Sequence, residues 1–390
     1  MKIALVLAKP PGYSETFFNS KIKGLQENGH EITLFTGPSN TVFTYSAHKM
    51  NPKVYNFFLI QIIMMCVVAF QLIPHIKVVL RYFKREQNEG TDLKRIIEKI
   101  YLNSQLLKYK GDWIHFGFAT LALDRELVAE AIGAKMAVSF RGFDINVYPL
   151  KHPNCYRLLW QQVDKVQSIS KYLLQKAYGL GLSENTPYQI ITPAVDLVNL
   201  PEKQKKENST PLNILTIARF NWIKGIDYLI EVASFLKHSG LDFEWQVIGS
   251  GEDAEKEKYL YHIYEKELKQ HVHLLGKRTH SETLKELTIA DVYVQPSLNE
   301  GFCNAVLEAQ ALGIPCVTFN VGGLAENIQD KKTGWLVEPF DCNAMARRII
   351  EISNLTASQK LDIADAAIVR VQNQFNLEQQ KKKFHKFYTD

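Results

Sequence analysis

The chain has 390 residues, 46% of them hydrophobic, which is length enough for two domains and apolar content enough to fill two cores. Its 46 Lys and Arg against 41 Asp and Glu leave a net charge of +5, with the two signs mixed along the chain. This basic excess is too small to require nucleic acid as a partner; phosphate-bearing ligands, an anionic membrane surface or an ordinary solvated surface all account for it.

Residues 3–7, Ile-Ala-Leu-Val-Leu, read as a first buried strand, and the run is too short for a secretory leader. Pro10, Pro11 and Gly12 end it. Phe17, Phe18, Ile22 and Leu25 then give helical spacing over 16–28, stopped by Gly29, and residues 31–35 are the next strand. This is the βαβ opening of a doubly wound sheet. Its first loop lacks G-x-G-x-x-G, which weakens a dehydrogenase reading. Ser14 is a natural cap for the following helix.

Residues 57–73 are almost wholly apolar, broken by Gln61 and Gln71, and Lys77, Arg81, Lys84 and Arg85 follow. Three readings stand for this segment: a core helix, a helix docked on an anionic interface, or a membrane span. The run falls short of the ~20 residues a span needs, so docking is expected over spanning, with 57–85 as the membrane-facing segment. Further strands are expected at 113–115, 135–140, 165–170 and 189–191, with a helix over 118–132 and another over 171–178 capped by Ser170. Residues 201–211 hold a polar run without apolar residues and read as a linker. A second α/β unit follows, with strands at 213–218, 244–248, 272–274, 291–294 and 316–319, and residues 377–388 form a basic helix. The five cysteines are scattered and odd in number, with no C-x-x-C and no metal-like His/Cys pairing, which fits a reducing cytoplasm.

The most informative block is Pro296-Ser297-Leu298-Asn299-Glu300-Gly301-Phe302, running on to Glu308 and Gly313-Ile314-Pro315. It joins the end of a strand to the start of a helix, where open α/β sheets bind ligands. A glutamate at a helix start is also favoured by the macrodipole alone. Eight residues of helix rise about 12 Å, whereas retaining glycosidases need two carboxylates about 5 Å apart. Glu300 and Glu308 therefore suit separate parts of an elongated ligand.

This block closely resembles the signature of family 4 retaining nucleotide-sugar glycosyltransferases, similar to bacterial exopolysaccharide and lipopolysaccharide enzymes. The resemblance implies the α/β GT-B fold, two Rossmann-like domains facing across a cleft. The implied domains are 1–200 on the acceptor side, the 201–211 linker, 212–374 on the donor side, and a helix at 375–390 packing back on the first domain. It implies that Glu300 holds the donor sugar and Glu308 the ribose, with Gly301, Phe302 and Asn304 beside them. Arg219 and Lys224, spaced as in the family, would meet the donor diphosphate, where negative charge grows as the glycosyl bond breaks. Val247-Ile248-Gly249-Ser250-Gly251 matches a donor-side turn, and Lys277 lies in the loop beside the base. Gly12 would let the first loop approach the phosphates, and Glu15 falls in a stretch common in these enzymes.

Two departures stand in the first half. His115 is followed by Gly117 where relatives carry His-x-His, and Arg141-Gly142-Phe143-Asp144 stands for His-Gly-x-Asp. Arg141 stays protonated and is no general base. His115 on its own leans to a structural role, and with Glu15, Arg141 and Asp144 it makes the implied acceptor side. No D-x-D occurs, so no metal and no cofactor are expected. The expected partners are a nucleotide-diphosphate sugar and a glycan or lipid-linked acceptor, without nucleic acid, in the cytoplasm or peripheral on the inner face of the plasma membrane. The alternatives are a non-catalytic nucleotide-sugar binding protein, a sugar-nucleotide epimerase, or a phosphorylase, for which the chain is short.

Overall fold

The computed structural model describes residues 1–12, 16–202 and 211–390. It divides into two compact units, Met1–Ile191 with Lys381–Asp390, and Thr192–Gln380. The change of unit falls after Ile191, ahead of the expected linker, most of which lies outside the described residues.

The first unit is built on a seven-stranded sheet. Its strands are β1 (Lys2–Val6), β2 (Glu31–Thr36), β3 (Ala47–Met50), β4 (Trp113–Phe116), β5 (Lys135–Phe140), β6 (Lys165–Ser168) and β7 (Tyr188–Ile190). Their order is β3-β2-β1-β4-β5-β6-β7, and every pairing is parallel. A parallel sheet is covered on both faces, which is why β1 and β4 are near-continuous apolar runs. The helix Thr16–Glu27 buries Phe18, Ile22 and Leu25 against Ile3, Leu5 and Trp113. The C-terminal helix Leu377–Thr389 adds Phe384, Phe387 and Tyr388 to the same core.

The helix expected over 118–132 is broken. A 3-10 turn spans Ala119–Leu121 and an α-helix only Val128–Ile132. Asp124 sits between them at φ 63°, in the left-handed region. Two bonds hold it there: its carboxylate accepts from Arg95 at 2.7 Å, and its carbonyl from the Asn103 amide at 2.9 Å.

Between β3 and β4 the chain makes a helical insert: Phe58–Leu72, a 3-10 turn at Ile73–His75, then Ile76–Asn88 and Leu93–Leu102. The core-helix reading of 57–73 fails, because Phe58–Leu72 buries only Val68 and Leu72.

The second unit carries β8 (Leu212–Ile217), β9 (Phe243–Ile248), β10 (Val272–Gly276), β11 (Val292–Gln295), β12 (Cys316–Phe319) and β13 (Trp335–Val337). The order is β10-β9-β8-β11-β12-β13, again all parallel. The first strand, β8, is flanked by β9 on one side and β11 on the other. The winding direction reverses between β8 and β11, and a crevice opens there at the carboxyl ends of the strands.

Candidate active site

The loops after β8 and β11 meet at this switch point. Leaving β8, the chain passes Arg219, turns through Trp222–Lys224 and enters the helix Ile226–His238. The Asn221 side chain caps the turn by accepting from the Ile223 N–H at 3.1 Å. Gly225 at φ 68° closes the turn, and a Cβ there would lie 1.9 Å from the Pro296 carbonyl oxygen. Only glycine permits that approach. The Leu298 N–H donates to the Ile223 carbonyl at 2.8 Å, so the two loops are laced together.

This lacing sets Lys224 against Glu300. The Lys224 ammonium donates to Glu300 Oε1, and the side chains are only 17% and 11% exposed. The same oxygen accepts from the Ser297 hydroxyl at 2.9 Å, Ser297 accepts from Gln295 Nε2 at 2.8 Å, and Gln295 accepts from the Tyr293 hydroxyl. Gln295, Ser297 and Tyr293 are fully buried. A column of side chains rising from β11 thus fixes the Glu300 rotamer. Burial pulls the Lys224 pKa down, but the Glu300 charge and hydrogen bond overcome this and hold it above 10.5, so the pair is ionic. Arg219, exposed on the same loop, is close enough for its charge to oppose that rise. Two cations therefore share one loop, one pinned by a carboxylate and one facing solvent.

The helix Asn304–Ala311 starts directly after Cys303. Asn327, fully buried, holds this start by accepting from the Cys303 N–H and donating to its carbonyl, both at 3.0 Å. The Gly323 N–H donates to the Glu300 carbonyl at 2.7 Å, and a Cβ on Gly323 would lie 2.0 Å from the Gly301 carbonyl oxygen. Phe302 is buried with its ring 5.6 Å from that of Phe375, and Asn304 is exposed at the helix start. Burial, then the Glu300 charge, push the Cys303 thiol up to about 12, which removes it as a nucleophile.

Glu308 stands in the second turn of this helix and accepts from His280 Nε2 at 2.8 Å. That hydrogen bond raises the His280 pKa against the effect of burial. Glu300 and Glu308 thus have different partners, a lysine and a histidine. Gly249, at φ 153°, brings the turn after β9 onto the Arg219 loop, where a Cβ would lie 1.8 Å from the Ala218 carbonyl oxygen. Its glycine serves backbone packing. Lys277 is exposed just past β10.

The first-unit residues fall out differently. Glu15 lies outside the described residues. Gly12 is exposed, and a Cβ there would meet nothing. His115 and Asp144, expected on the acceptor side, are both fully buried. His115 joins Ser139 at 2.8 Å, the Tyr388 hydroxyl at 2.6 Å and the Lys21 ammonium at 3.2 Å. Burial, then the Lys21 and Arg141 charges, keep the imidazole neutral. The Asp144 carboxylate accepts from the Ala119, Arg141 and Gly142 N–H groups and organises that loop. Arg141 lays its guanidinium 3.7 Å above the Phe17 ring. Gly117 has its own reason: a Cβ there would lie 2.3 Å from Leu7 Cδ2, so a second histidine has no room.

Sequence reasoning missed Ser297, Gln295, Asn327 and His280. Gln295 and Ser297 bond within two or three residues of chain, to Tyr293, to each other and to Glu300, but no motif marks them. Asn327 reaches Cys303 from 24 residues away and has no local signal. His280 opens a helix behind a Thr279–Glu282 capping box, and that box was readable.

Residues 200–367 match the family described as glycosyl transferases group 1. The chain is 30% identical over 273 residues to the putative colanic acid biosynthesis glycosyltransferase WcaL of Escherichia coli K12. The chain belongs to the group 1 glycosyl transferases. It is also 27% identical over 271 residues to the amylovoran biosynthesis glycosyltransferase AmsK of Erwinia amylovora. Each alignment covers 67% of this chain and 66% of the relative, just under two thirds of its length. Sucrose-phosphate synthase from Thermosynechococcus elongatus shares the fold at a TM-score of 0.75 and 17% identity, over 100% of this chain and 98% of that one. Anabaena HepE in complex with UDP-glucose does so at 0.71 and 15%, over 100% and 99%. The two parallel-sheet units are therefore those of the GT-B fold expected from the signature.

Proposed function

We propose that the protein is a retaining glycosyltransferase of bacterial cell-surface polysaccharide synthesis, moving a sugar from a nucleoside-diphosphate donor to a hydroxyl of a glycan or lipid-linked acceptor. The observation that carries this reading is the Lys224–Glu300 pair at the β8/β11 switch point, beside Arg219 and the amide-bearing start of the helix Asn304–Ala311. Cations and helix amides suit a diphosphate, and the carboxylates of Glu300 and Glu308 suit sugar and ribose hydroxyls. The relatives support it: WcaL and AmsK are named for polysaccharide biosynthesis. An Escherichia coli relative, 28% identical over 51% of this chain, is named as acting on a diphosphoundecaprenol-linked sugar. HepE has been solved with UDP-glucose.

In the reaction, the bond from the sugar C1 to the donor phosphate oxygen breaks, and a bond from C1 to the acceptor oxygen forms on the same face. The acceptor proton passes to the departing phosphate, which needs no protein base. Lys224 and Arg219 stabilise the charge that develops there, in place of a metal. Glu300 positions Lys224 and orients the sugar. Gly249 and Lys277 belong to the donor side. A lipid-borne acceptor would place the enzyme in the cytoplasm, against the inner face of the plasma membrane.

The test is release of nucleoside diphosphate from a panel of nucleotide sugars, with the sugar product identified. Release with sugar transfer or hydrolysis is expected. Binding without turnover would make the protein a binder, and a changed sugar still on its nucleotide would make it an epimerase.

A further inference from the structure

The helical insert of the first unit carries a surface that the reaction leaves unused. On Phe58–Leu72 the side chains of Phe58, Leu59, Ile63 and Phe70 are exposed, Phe58 and Phe70 by 73% and 75%. A monomeric soluble protein rarely exposes a contiguous apolar patch of this kind. Exposed apolar side chains continue through Ile73 in the connecting turn, Ile76 and Leu80 on the next helix, and Leu93 and Ile97 on the one after. An apolar groove of about 810 Å³ adjoins it, lined by Val54, Met65, Leu93, Ile97 and Tyr101.

The helix Ile76–Asn88 has three sides. Tyr82 and Glu86 face inward, Ile76 and Leu80 extend the apolar patch, and Lys77, Arg81, Lys84 and Arg85 form an exposed basic stripe at helical spacing beside it. Arg85 pairs with Glu130. The insert is anchored: the Lys99 ammonium donates to the buried Glu86 carboxylate at 2.9 Å, and the Tyr101 hydroxyl to the Lys53 carbonyl at 2.6 Å. Both glutamines that interrupt the apolar run are satisfied. Gln61 accepts from the Tyr55 N–H at 2.9 Å, and Gln71 from the Lys108 ammonium at 3.1 Å.

Residues Phe58–Asn88 are long and apolar enough to cross a membrane by length and composition, with 11% of the most apolar window buried. The geometry argues for lying in the interface. The apolar helix Phe58–Leu72 has 15 residues, about 22 Å at 1.5 Å each, against a hydrocarbon core of about 30 Å. Its continuation is broken at the Ile73–His75 turn and then carries four cations.

We propose that this insert is a bilayer-docking element: the Phe58–Leu72 helix lies in the headgroup–acyl boundary of an anionic leaflet, and Lys77, Arg81 and Lys84 hold its headgroups. An apolar face with a basic stripe at its edge is the pattern of interfacial helices, and the stripe selects anionic lipid over a protein partner or a second copy. This deepens the reading of a lipid-borne acceptor, but its test needs neither donor nor acceptor.

The full chain is co-sedimented with vesicles of phosphatidylethanolamine containing phosphatidylglycerol, and with vesicles of phosphatidylcholine alone. The wild type should bind the anionic vesicles preferentially. Changing Lys77, Arg81 and Lys84 together to Gln should weaken that binding on the order of 100-fold. Phe58→Glu with Phe70→Glu should abolish it while leaving the fold, checked by circular dichroism, because both side chains are exposed. In a Phe70→Trp variant, lipids brominated on the acyl chain should quench the indole. Equal binding of wild type and the triple Gln variant, no binding by the wild type, binding retained by the Glu pair, or an unquenched indole would each overturn the proposal. Self-association that hides the face and prevents vesicle binding would do so too. Absence of donor turnover would instead strike the glycosyltransferase reading and leave docking standing.

Discussion

Replacing Lys224 by Met removes the ammonium and keeps most of the apolar stem. The Glu300 carboxylate, 11% exposed, is then left with only the Ser297 hydroxyl. Breaking a buried ion pair from one side costs about 3–5 kcal/mol, and the surviving Ser297 bond points to the lower end. For a unit the size of Thr192–Gln380, about 3 kcal/mol lowers the melting midpoint by about 6–12 °C. Activity falls for a separate reason. Losing one preorganised group that meets developing charge costs about 100- to 1000-fold in turnover. The two effects separate in a cycle with Glu300→Gln. The double variant has no unpaired buried charge, so it should regain most of the stability and none of the turnover. The pH dependence has a definite sign. The Lys224 pKa is raised in the folded state above 10.5. Its stabilisation is full below that value and is lost as the pH rises through the folded pKa, so the gap between wild type and Lys224→Met should stay open at neutral pH and close in strong alkali. The assays are thermal melting across pH and donor turnover. Near-normal turnover in Lys224→Met, or a double variant as unstable as the single one, would refute the reasoning.

His280→Gln should cost stability below about pH 6.5 and progressively less as the pH rises through the raised folded value; equal melting differences at pH 6 and pH 9 would count against the Glu308 pairing. Asp144→Ala strands three backbone N–H groups, and should lower unfolding free energy in urea by about 3 kcal/mol. Turnover should survive EDTA, since Arg219 and Lys224 are assigned the diphosphate; loss on chelation with rescue by Mn²⁺ would point to a carboxylate site instead.

Much of the fold was legible because parallel strands buried on both faces leave dense apolar runs. Residues 3–7, 135–140 and 316–319 each proved to be strands within a residue or so. The edge strands β3 and β13 escaped notice. Ala47–Met50 has one half-buried residue and reads as polar, and Trp335–Val337 is three residues long. The donor-side block was legible because its glycines and carboxylates are local. What binds it into a site was not: Asn327 reaches Cys303 from 24 residues away, and Lys224 reaches Glu300 from 76. Asp144 shows the opposite case. A carboxylate just past a strand end reads as functional, yet here a ring of backbone N–H groups turns it inward. His115, inside β4, takes the structural role toward which it leaned, in the polar network of Lys21, Ser139 and Tyr388. The apolar run at 57–73 reads as core by composition, and only its packing shows it uncovered.

The central claim is that a nucleoside diphosphate sits at the β8/β11 switch point, and a crystal structure of the protein with a nucleoside diphosphate tests it most directly. The account predicts the phosphates against Arg219, Lys224 and the amides opening the helix at Asn304, with Glu308 on the ribose and Lys224 drawn from Glu300 toward the phosphate. A nucleotide bound elsewhere, or one leaving Lys224 locked on Glu300 with no contact to phosphate, would contradict it.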